Sequence, residues 1–124
     1  MKHILLFWLD ALANNSKENT HAKQRLQSLI NQVKIFEQID QCERYIQSVS
    51  SQDRIILVVS GQLGEQLVPK IHQLRQISVI YIYCTNKKKN EQWAKQFAKV
   101  FLKKVFEFDS LDFIRYRSNV LLFS

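Results

Sequence analysis

Runs of apolar residues alternate along the chain with segments in which apolar residues recur every three or four positions. Three runs are almost entirely apolar and cover residues 4–9, 55–59 and 79–84. Such runs are typical of strands that are covered on both faces of a sheet. Two shorter segments, residues 34–36 and 105–108, include charged residues and predict strands at the edges of the same sheet.

Four longer helices are predicted from apolar residues that share one helical face. Their inner faces are, in chain order, Leu26, Leu29, Ile30 and Val33; Cys42, Tyr45, Ile46 and Val49; Leu63, Leu67, Val68, Ile71 and Leu74; and Trp93, Ala94, Phe97, Ala98 and Phe101. Asp40 stands three residues before Glu43, which predicts a capping box at the start of the second helix. Asn90 is a candidate N-cap of the fourth helix, and Pro69 is expected to kink or interrupt the third. Residues 111–116 predict a last, short helix.

The alternation of strands and helices predicts a single α/β domain. Strands that are separated by helices need crossover connections, so the sheet is expected to be parallel with helices on both faces. With the most apolar strands in the middle, the order is 2-1-3-4-5, as in flavodoxin-like and receiver folds. We therefore predict a three-layer domain with a five-stranded sheet over residues 1–109 and an irregular or helical tail over residues 110–124.

The balance of charge adds a basic C-terminal part. The 18 Lys and Arg residues exceed the 11 Asp and Glu residues, which gives a formal net charge of +7. Residues 85–124 hold nine basic and four acidic side chains, a net of +5. A positive surface attracts phosphates, nucleic acids or acidic proteins without selecting among them. A solvated basic face is the simplest interpretation, and nucleic-acid binding through residues 87–104 is a weaker alternative.

The N-terminus and the cysteines favour a cytoplasmic protein. Lys2, the apolar run that follows it and residues 11–13 loosely imitate a signal peptide, but Asp10 interrupts the segment and a buried strand explains it equally well. The chain has no stretch near the roughly 18 apolar residues that a membrane helix needs. Cys42 and Cys84 form no CxxC pair, so reduced, buried thiols are expected.

Polar residues follow the predicted strands at the edge where the first and third strands meet, which is where a small-molecule site is expected. There Asp10 could hold a metal ion or a ribose hydroxyl, and the turn over residues 60–64 could offer backbone amides to an anion. The turn matches neither GxGxxG nor GxxxxGK[ST], so glycine there can serve geometry alone. The candidate ligand-binding residues are Asp10, Ser60, Gly61, Gly64, Thr85 and Lys87.

No residue pattern predicts catalysis, a metal or a cofactor. In receivers the third strand ends in the phosphorylated aspartate, whereas here it ends in Ser60, so acyl-phosphate chemistry is not expected. Cys84 stands where caspase-like proteases carry their nucleophile, but the matching histidine position reads Ser60-Gly61. His72 lies a helix length further on, and His3, His21 and His72 have no metal-ligand spacing.

Several short motifs are shared with a known kind of module. They are Trp8-Leu9-Asp10, Asp40-Gln41-Cys42-Glu43, Ser51-Gln52-Asp53-Arg54, Val59-Ser60-Gly61-Gln62-Leu63-Gly64, His72-Gln73-Leu74-Arg75, Tyr81-Ile82-Tyr83-Cys84 and Glu91-Gln92-Trp93-Ala94-Lys95. Over about residues 4–100 the chain resembles the N-terminal α/β module that precedes arginine mono-ADP-ribosyltransferase domains or tetratricopeptide repeats in some invertebrate multidomain proteins. The transferase itself is absent, since no two glutamates form its Glu-x-Glu motif.

The resemblance implies a module that works beside an effector domain and carries no assigned catalytic residues. We therefore predict a non-catalytic regulatory or protein-interaction module, whose partner is another protein or the adjoining effector domain. The alternative is a small nucleotide- or phosphate-binding enzyme with its site at the C-terminal ends of the first and third strands.

Overall fold

Five strands and three helices make up the part of the chain that the structure describes. The structure is a computed structural model, and it describes residues 3–10, 24, 32–84 and 87–103. In chain order the elements are β1 (Ile4–Leu9), β2 (Val33–Phe36), α1 (Ile39–Ser48), β3 (Arg54–Ser60), α2 (Gly61–Ile71), β4 (Ile77–Tyr83), α3 (Lys87–Ala94) and β5 (Val100–Lys103).

The strands form one parallel sheet in the order β2-β1-β3-β4-β5, which confirms the predicted topology. The three most apolar strands lie in the middle, where neighbours cover their polar backbone groups on both sides. The two short strands, β2 and β5, lie at the edges, and β2 is the edge strand that was predicted from its charged residue Lys34.

The position of the fifth strand corrects the sequence analysis, which placed it at residues 105–108. The fifth strand is Val100–Lys103, and Tyr81 of β4 pairs with Phe101. A tight turn explains the earlier start, because the amide of Val100 donates to the carbonyl of Phe97 at 3.1 Å and turns the chain into the sheet directly after α3. Residues 105–108, the predicted helix over 111–116 and the tail over 110–124 lie outside the described residues.

Each face of the sheet carries its own apolar cluster, because side chains alternate between the two faces along a strand. The three helices named above pack on the first face, whose buried members are Phe7, Leu9, Phe36, Cys42, Ile46, Ile55, Leu57, Val59, Leu67, Val68, Ile71, Ile77, Ile80 and Ile82. The second face holds Leu6, Trp8, Ile56, Val58, Val79, Tyr81 and Tyr83, and all of them are buried. The first predicted helix, whose inner face was assigned to residues 26–33, lies mostly outside the described residues, and its last inner residue, Val33, belongs to β2.

Local capping differs from the predictions in two helices. The N-cap of α1 is Gln38, which makes no side-chain capping bond, so the capping box predicted from Asp40 is wrong. Asn90 is the fourth residue of α3 and not its cap; its Oδ1 accepts a hydrogen bond from Trp93 Nε1 at 3.0 Å. The polar side chain therefore orients the neighbouring indole.

The predicted inner faces of the helices are confirmed in part. Cys42 and Ile46 of α1 are fully buried, whereas Tyr45 is 44% exposed. Pro69 lies inside α2, which continues to Ile71. The aromatic stripe predicted for the fourth helix is wrong, because α3 ends at Ala94 and Phe101 belongs to β5.

Both glycines of the chain lie in α2, and close packing explains them. Neither has a positive φ, so backbone conformation does not demand glycine at these positions. A Cβ atom on Gly61 would lie 2.8 Å from Asn90 Oδ1, and one on Gly64 would lie 2.7 Å from Ile82 Cδ1. The two residues let α2 approach α3 and the sheet more closely than any side chain would allow.

We expect Gly61→Ala to lower the free energy of unfolding by about 1–3 kcal/mol, because the added methyl group displaces the Asn90 amide. The cost should largely disappear in an Asn90→Ala background, where the obstructing amide is absent. Chemical denaturation of both single variants and the double variant measures this coupling. Gln62→Ala, at an exposed position of α2, is the control and should be nearly neutral. An equal cost of Gly61→Ala in both backgrounds would contradict the packing explanation.

Candidate functional site

The polar residues that follow β1, β3 and β4 come together at one edge of the sheet. Parallel strands all end at the same edge, and Leu9 of β1 pairs with Val59 of β3. Asp10 and Ser60 directly follow these two residues. We call the group formed by Asp10, Ser60, Gly61, Tyr83 and Cys84 the C-terminal edge. Edges of this kind bind ligands in many open α/β sheets.

Asp10 is a buried acidic residue at this edge. Asp10 is only 9% exposed. Its backbone amide donates to the carbonyl of Phe36 at 3.0 Å, and this bond extends the pairing of β1 with β2. It continues the alternation of Leu6 and Trp8 and so belongs to the second face of the sheet. A carboxylate is thus held beside an otherwise apolar face.

Tyr83 is the neighbour of Asp10 on that face. Burial and, after it, the nearby Asp10 carboxylate raise the pKa of the Tyr83 hydroxyl well above its ordinary value, while Trp8 acts in the opposite sense. Tyr83, Asp10 and Trp8 thus form a small group of polar atoms at the buried ends of β1 and β4.

Sequence reasoning missed Tyr83 because it treated residues 79–84 as a uniformly apolar strand. The signal was present in the alternation of side chains. In the predicted order, Val79, Tyr81 and Tyr83 share a face with Leu6, Trp8 and Asp10. The pairing of Ser60 with Tyr83 then brings the tyrosine to the same edge as Asp10.

Ser60 and Gly61 lie where the sequence predicted, at the junction of β3 and α2. Ser60 is the N-cap of α2 and makes no side-chain capping hydrogen bond, and the first turn of the helix holds no acidic residue. The positive end of the helix dipole is therefore not offset within this turn. Gly64 points elsewhere, since an added Cβ would meet Ile82 and Val59 of the sheet, so the structure does not bring it to the C-terminal edge.

Lys87 begins α3, and Thr85 lies outside the described residues. Lys87, Lys88 and Lys89 together occupy the first turn of α3, which has no acidic residue. Cations at a helix N-terminus oppose the helix dipole, so this turn favours the approach of an anionic group.

The possible pairing of Cys84 with His72 is contradicted by the direction of α2. His72 directly follows the end of this 11-residue helix, and a helix of that length spans about 16 Å from the C-terminal edge toward the opposite one. The His72 ring packs there against Phe97, with 4.7 Å between ring centroids. The two side chains therefore cannot act on one substrate.

The described residues contain no group of three His, Cys, Asp or Glu side chains placed to hold a metal ion. Among the helices of the described ranges, none has the length and apolar character to cross a membrane.

No protein-family model and no curated protein sequence matches the chain. The resemblance to a transferase-associated module therefore stays a prediction.

The two cysteines should differ sharply in reactivity. Cys42 is buried in the core, and burial raises the pKa of its thiol from 9.0 to about 12, whereas Cys84 is half-buried at the end of β4. Because the thiolate is the reactive form, we expect Ellman's reagent at pH 8 to modify Cys84 first and Cys42 only after unfolding. Cys84→Ser is the control and should remove the fast phase. Two equally fast thiols in the native protein would contradict the assignment.

The raised pKa of the Cys42 thiol also predicts that the protein loses stability in alkaline solution. Between pH 9 and about pH 12 the Cys42 thiol ionises in the unfolded chain and stays protonated in the folded one. Its contribution to stability is therefore complete below pH 9 and is lost as pH rises toward 12.

Proposed function

We propose that the chain is a non-catalytic regulatory module that binds an acidic protein surface through α3 and β5. The main support for the proposal is the exposure of Phe101, which lies on the edge strand β5 and is 52% exposed. Within the described residues, Phe101 and Tyr45 are the large apolar side chains that remain exposed. Exposed aromatic residues of this kind are frequent anchors of protein interfaces.

Phe101 borders a groove between α3 and β5 that can receive an apolar side chain. The groove has a volume of about 570 Å³ and is lined by Glu91, Ala94, Lys95, Phe97, Ala98, Val100, Phe101 and Leu102. The Phe101 ring rests against Tyr81, with 6.1 Å between ring centroids, so its position is supported from one side. A supported, half-exposed ring loses little conformational freedom when a partner covers it.

The charge around the groove favours an acidic partner. Lys88 and Lys89 of α3 and Lys95, which directly follows this helix, are exposed, and Glu91 is the single acidic residue of α3. This basic face belongs to a chain whose net charge is +7. A partner with an apolar side chain inside an acidic rim would complement both features.

The regulatory part of the proposal is supported by the resemblance described above, in which the module stands beside an effector domain. The partner can then be the effector domain or a separate protein with the same acidic and apolar surface. The receiver-like fold agrees with such a role, although fold alone does not define one.

A nucleotide- or phosphate-processing enzyme is the second candidate, and the buried Asp10 carboxylate is the observation that favours it. An assay of substrate turnover distinguishes the two candidate functions. We expect the purified protein to leave NAD, ADP-ribose and ATP intact over hours, as followed by chromatography. Turnover that is abolished by Asp10→Ala would replace the proposed function with the enzymatic one.

The interaction is tested by placing a photo-crosslinking amino acid at position 101 or, as the matched control, at position 45. The protein captured from cells at position 101 is purified, and its Kd is titrated against the unmodified chain, Phe101→Ala and Tyr45→Ala. Loss of one buried aromatic side chain costs about 1.5–3 kcal/mol, so Phe101→Ala should weaken binding by about ten- to hundredfold. Tyr45→Ala should bind normally once its folding has been checked by circular dichroism.

The dependence of the Kd on salt concentration is the second measurement. Because exposed lysines of α3 lie beside the groove, the Kd should rise with ionic strength. Equal affinities of the Phe101→Ala and Tyr45→Ala variants would overturn the proposed surface. Crosslinking at position 101 to RNA or DNA in place of a protein would overturn the proposed class of partner.

A further inference from the structure

We infer that a pocket beside the edge strand β2 binds a small aromatic carboxylate, whose carboxylate group is held by Lys34 and Tyr45. We call it the β2 pocket; its lining residues include Leu5, Phe7, Val33, Lys34, Tyr45 and Val49. Its volume is about 380 Å³, which lies within the range of small-molecule sites. Phe101 lies on the other edge strand, so the inference does not depend on the proposed protein interaction. It requires binding alone and no chemical step.

The floor of the β2 pocket is apolar because it belongs to the first face of the sheet, on which α1 packs. Phe7 is only 3% exposed and is a member of the apolar cluster on that face. Leu5 and Val49 are partly buried and pack against the same cluster. Lys34 pairs with Phe7 on the neighbouring strand, which brings its side chain to the same face. The sheet therefore places one charged group at the border of an apolar surface.

Lys34 and Tyr45 form a polar pair that is already in place. The Lys34 ammonium group donates to the Tyr45 hydroxyl oxygen at 2.7 Å and lies 3.9 Å from the centroid of the tyrosine ring. The tyrosine ring contacts Phe36 and Phe7, with ring centroids 5.4 Å and 6.4 Å away. A lysine that is held in one position loses little conformational freedom when a ligand binds.

The hydrogen bond within this pair determines what a ligand must offer. The Tyr45 hydroxyl accepts from Lys34, so its own proton can be donated to another acceptor, and the ammonium group has further N–H donors. No carboxylate of the described residues forms an ion pair with Lys34, and the pocket lining contains no acidic residue. Two donors and one positive charge thus border the pocket, and a carboxylate complements all three.

The end of α1 does not cancel this positive charge. The carbonyl groups at the C-terminus of a helix carry partial negative charge and would repel an anion. Here the Tyr45 carbonyl accepts from Ser48 Oγ at 2.7 Å, and the Ile46 carbonyl accepts from Gln76 Nε2 at 3.0 Å. These two carbonyls are therefore engaged by donors, and Lys34 adds a full positive charge beside them.

The apolar lining favours a ligand with an aromatic ring. The rings of Phe7 and Tyr45 are perpendicular, with an interplanar angle of 90°. Aromatic rings pair favourably in this edge-to-face geometry, and the aliphatic side chains of Leu5, Val33 and Val49 supply further contact area. A simple inorganic anion would leave this lining in contact with water. The combination of lining and charge therefore selects an aromatic carboxylate.

The test titrates the full chain with 3-phenylpropionate, with its neutral counterpart 3-phenylpropionamide and with acetate, which has no ring. We expect 3-phenylpropionate to bind with a Kd of about 1 mM or below. The amide and acetate should each bind at least about fivefold more weakly, because one lacks the charge and the other lacks the apolar contacts. Protein-detected nuclear magnetic resonance measures these affinities.

Two variants test the polar pair. Lys34→Met keeps the apolar part of the side chain and removes the charge, and Tyr45→Phe keeps the ring and removes the hydroxyl. Each should weaken the binding of 3-phenylpropionate about fivefold or more. Lys89→Met is the matched control, because it removes the same charge from an exposed position of α3. It should bind within about twofold of the unmodified chain.

Thermal stability separates a ligand site from a structural role. The bond between Lys34 and Tyr45 is exposed, and exposed charged pairs contribute little to stability, so both variants should melt close to the unmodified chain. A pair that served structure alone would lower the melting temperature when broken and leave the affinity unchanged. In the unmodified chain, nuclear Overhauser contacts should join the phenyl protons of the probe to methyl groups of Leu5, Val33 or Val49.

Three results would overturn the inference. One is the absence of 3-phenylpropionate binding at about 10 mM. Another is equal affinity for 3-phenylpropionate and its amide, since the charge would then play no part in recognition. The third is unchanged affinity in both Lys34→Met and Tyr45→Phe. None of these results bears on Phe101, so the proposed protein interaction stands or falls separately.

Discussion

The structure depends on three parallel strands whose side chains are buried on both faces of the sheet. Residues from Ile55 to Val59 are fully buried, and Leu6, Leu9, Ile80 and Ile82 of the neighbouring strands are equally inaccessible. Burial of each such side chain stabilises the fold by about 1.5–3 kcal/mol. Strands with no polar face leave room for polar chemistry only where they end. The location of the candidate site is thus a consequence of the core.

Close packing on the buried strands also determines the position of α2. This helix packs so closely on β3 and β4 that Gly64 has no room for a Cβ atom beside Ile82 and Val59. The close approach also brings Gly61 against Asn90 of α3, whose amide in turn orients Trp93. A glycine pattern that suggested phosphate binding in the sequence therefore serves packing first. Within residues 60–64, only Ser60 and the first residue of α2 lie at the C-terminal edge.

The sequence predicted the features that follow from apolar patterning alone. The order of the strands and the inner positions Cys42 and Ile46 follow from where apolar residues cluster. The errors lie where a single contact decides the outcome, as in the turn between Phe97 and Val100, which brings β5 forward. Asp10 and Ser60 could be placed from the order of the strands. Tyr83 was overlooked because its strand was treated as uniformly apolar, although the alternation of side chains places it on the same face as Asp10.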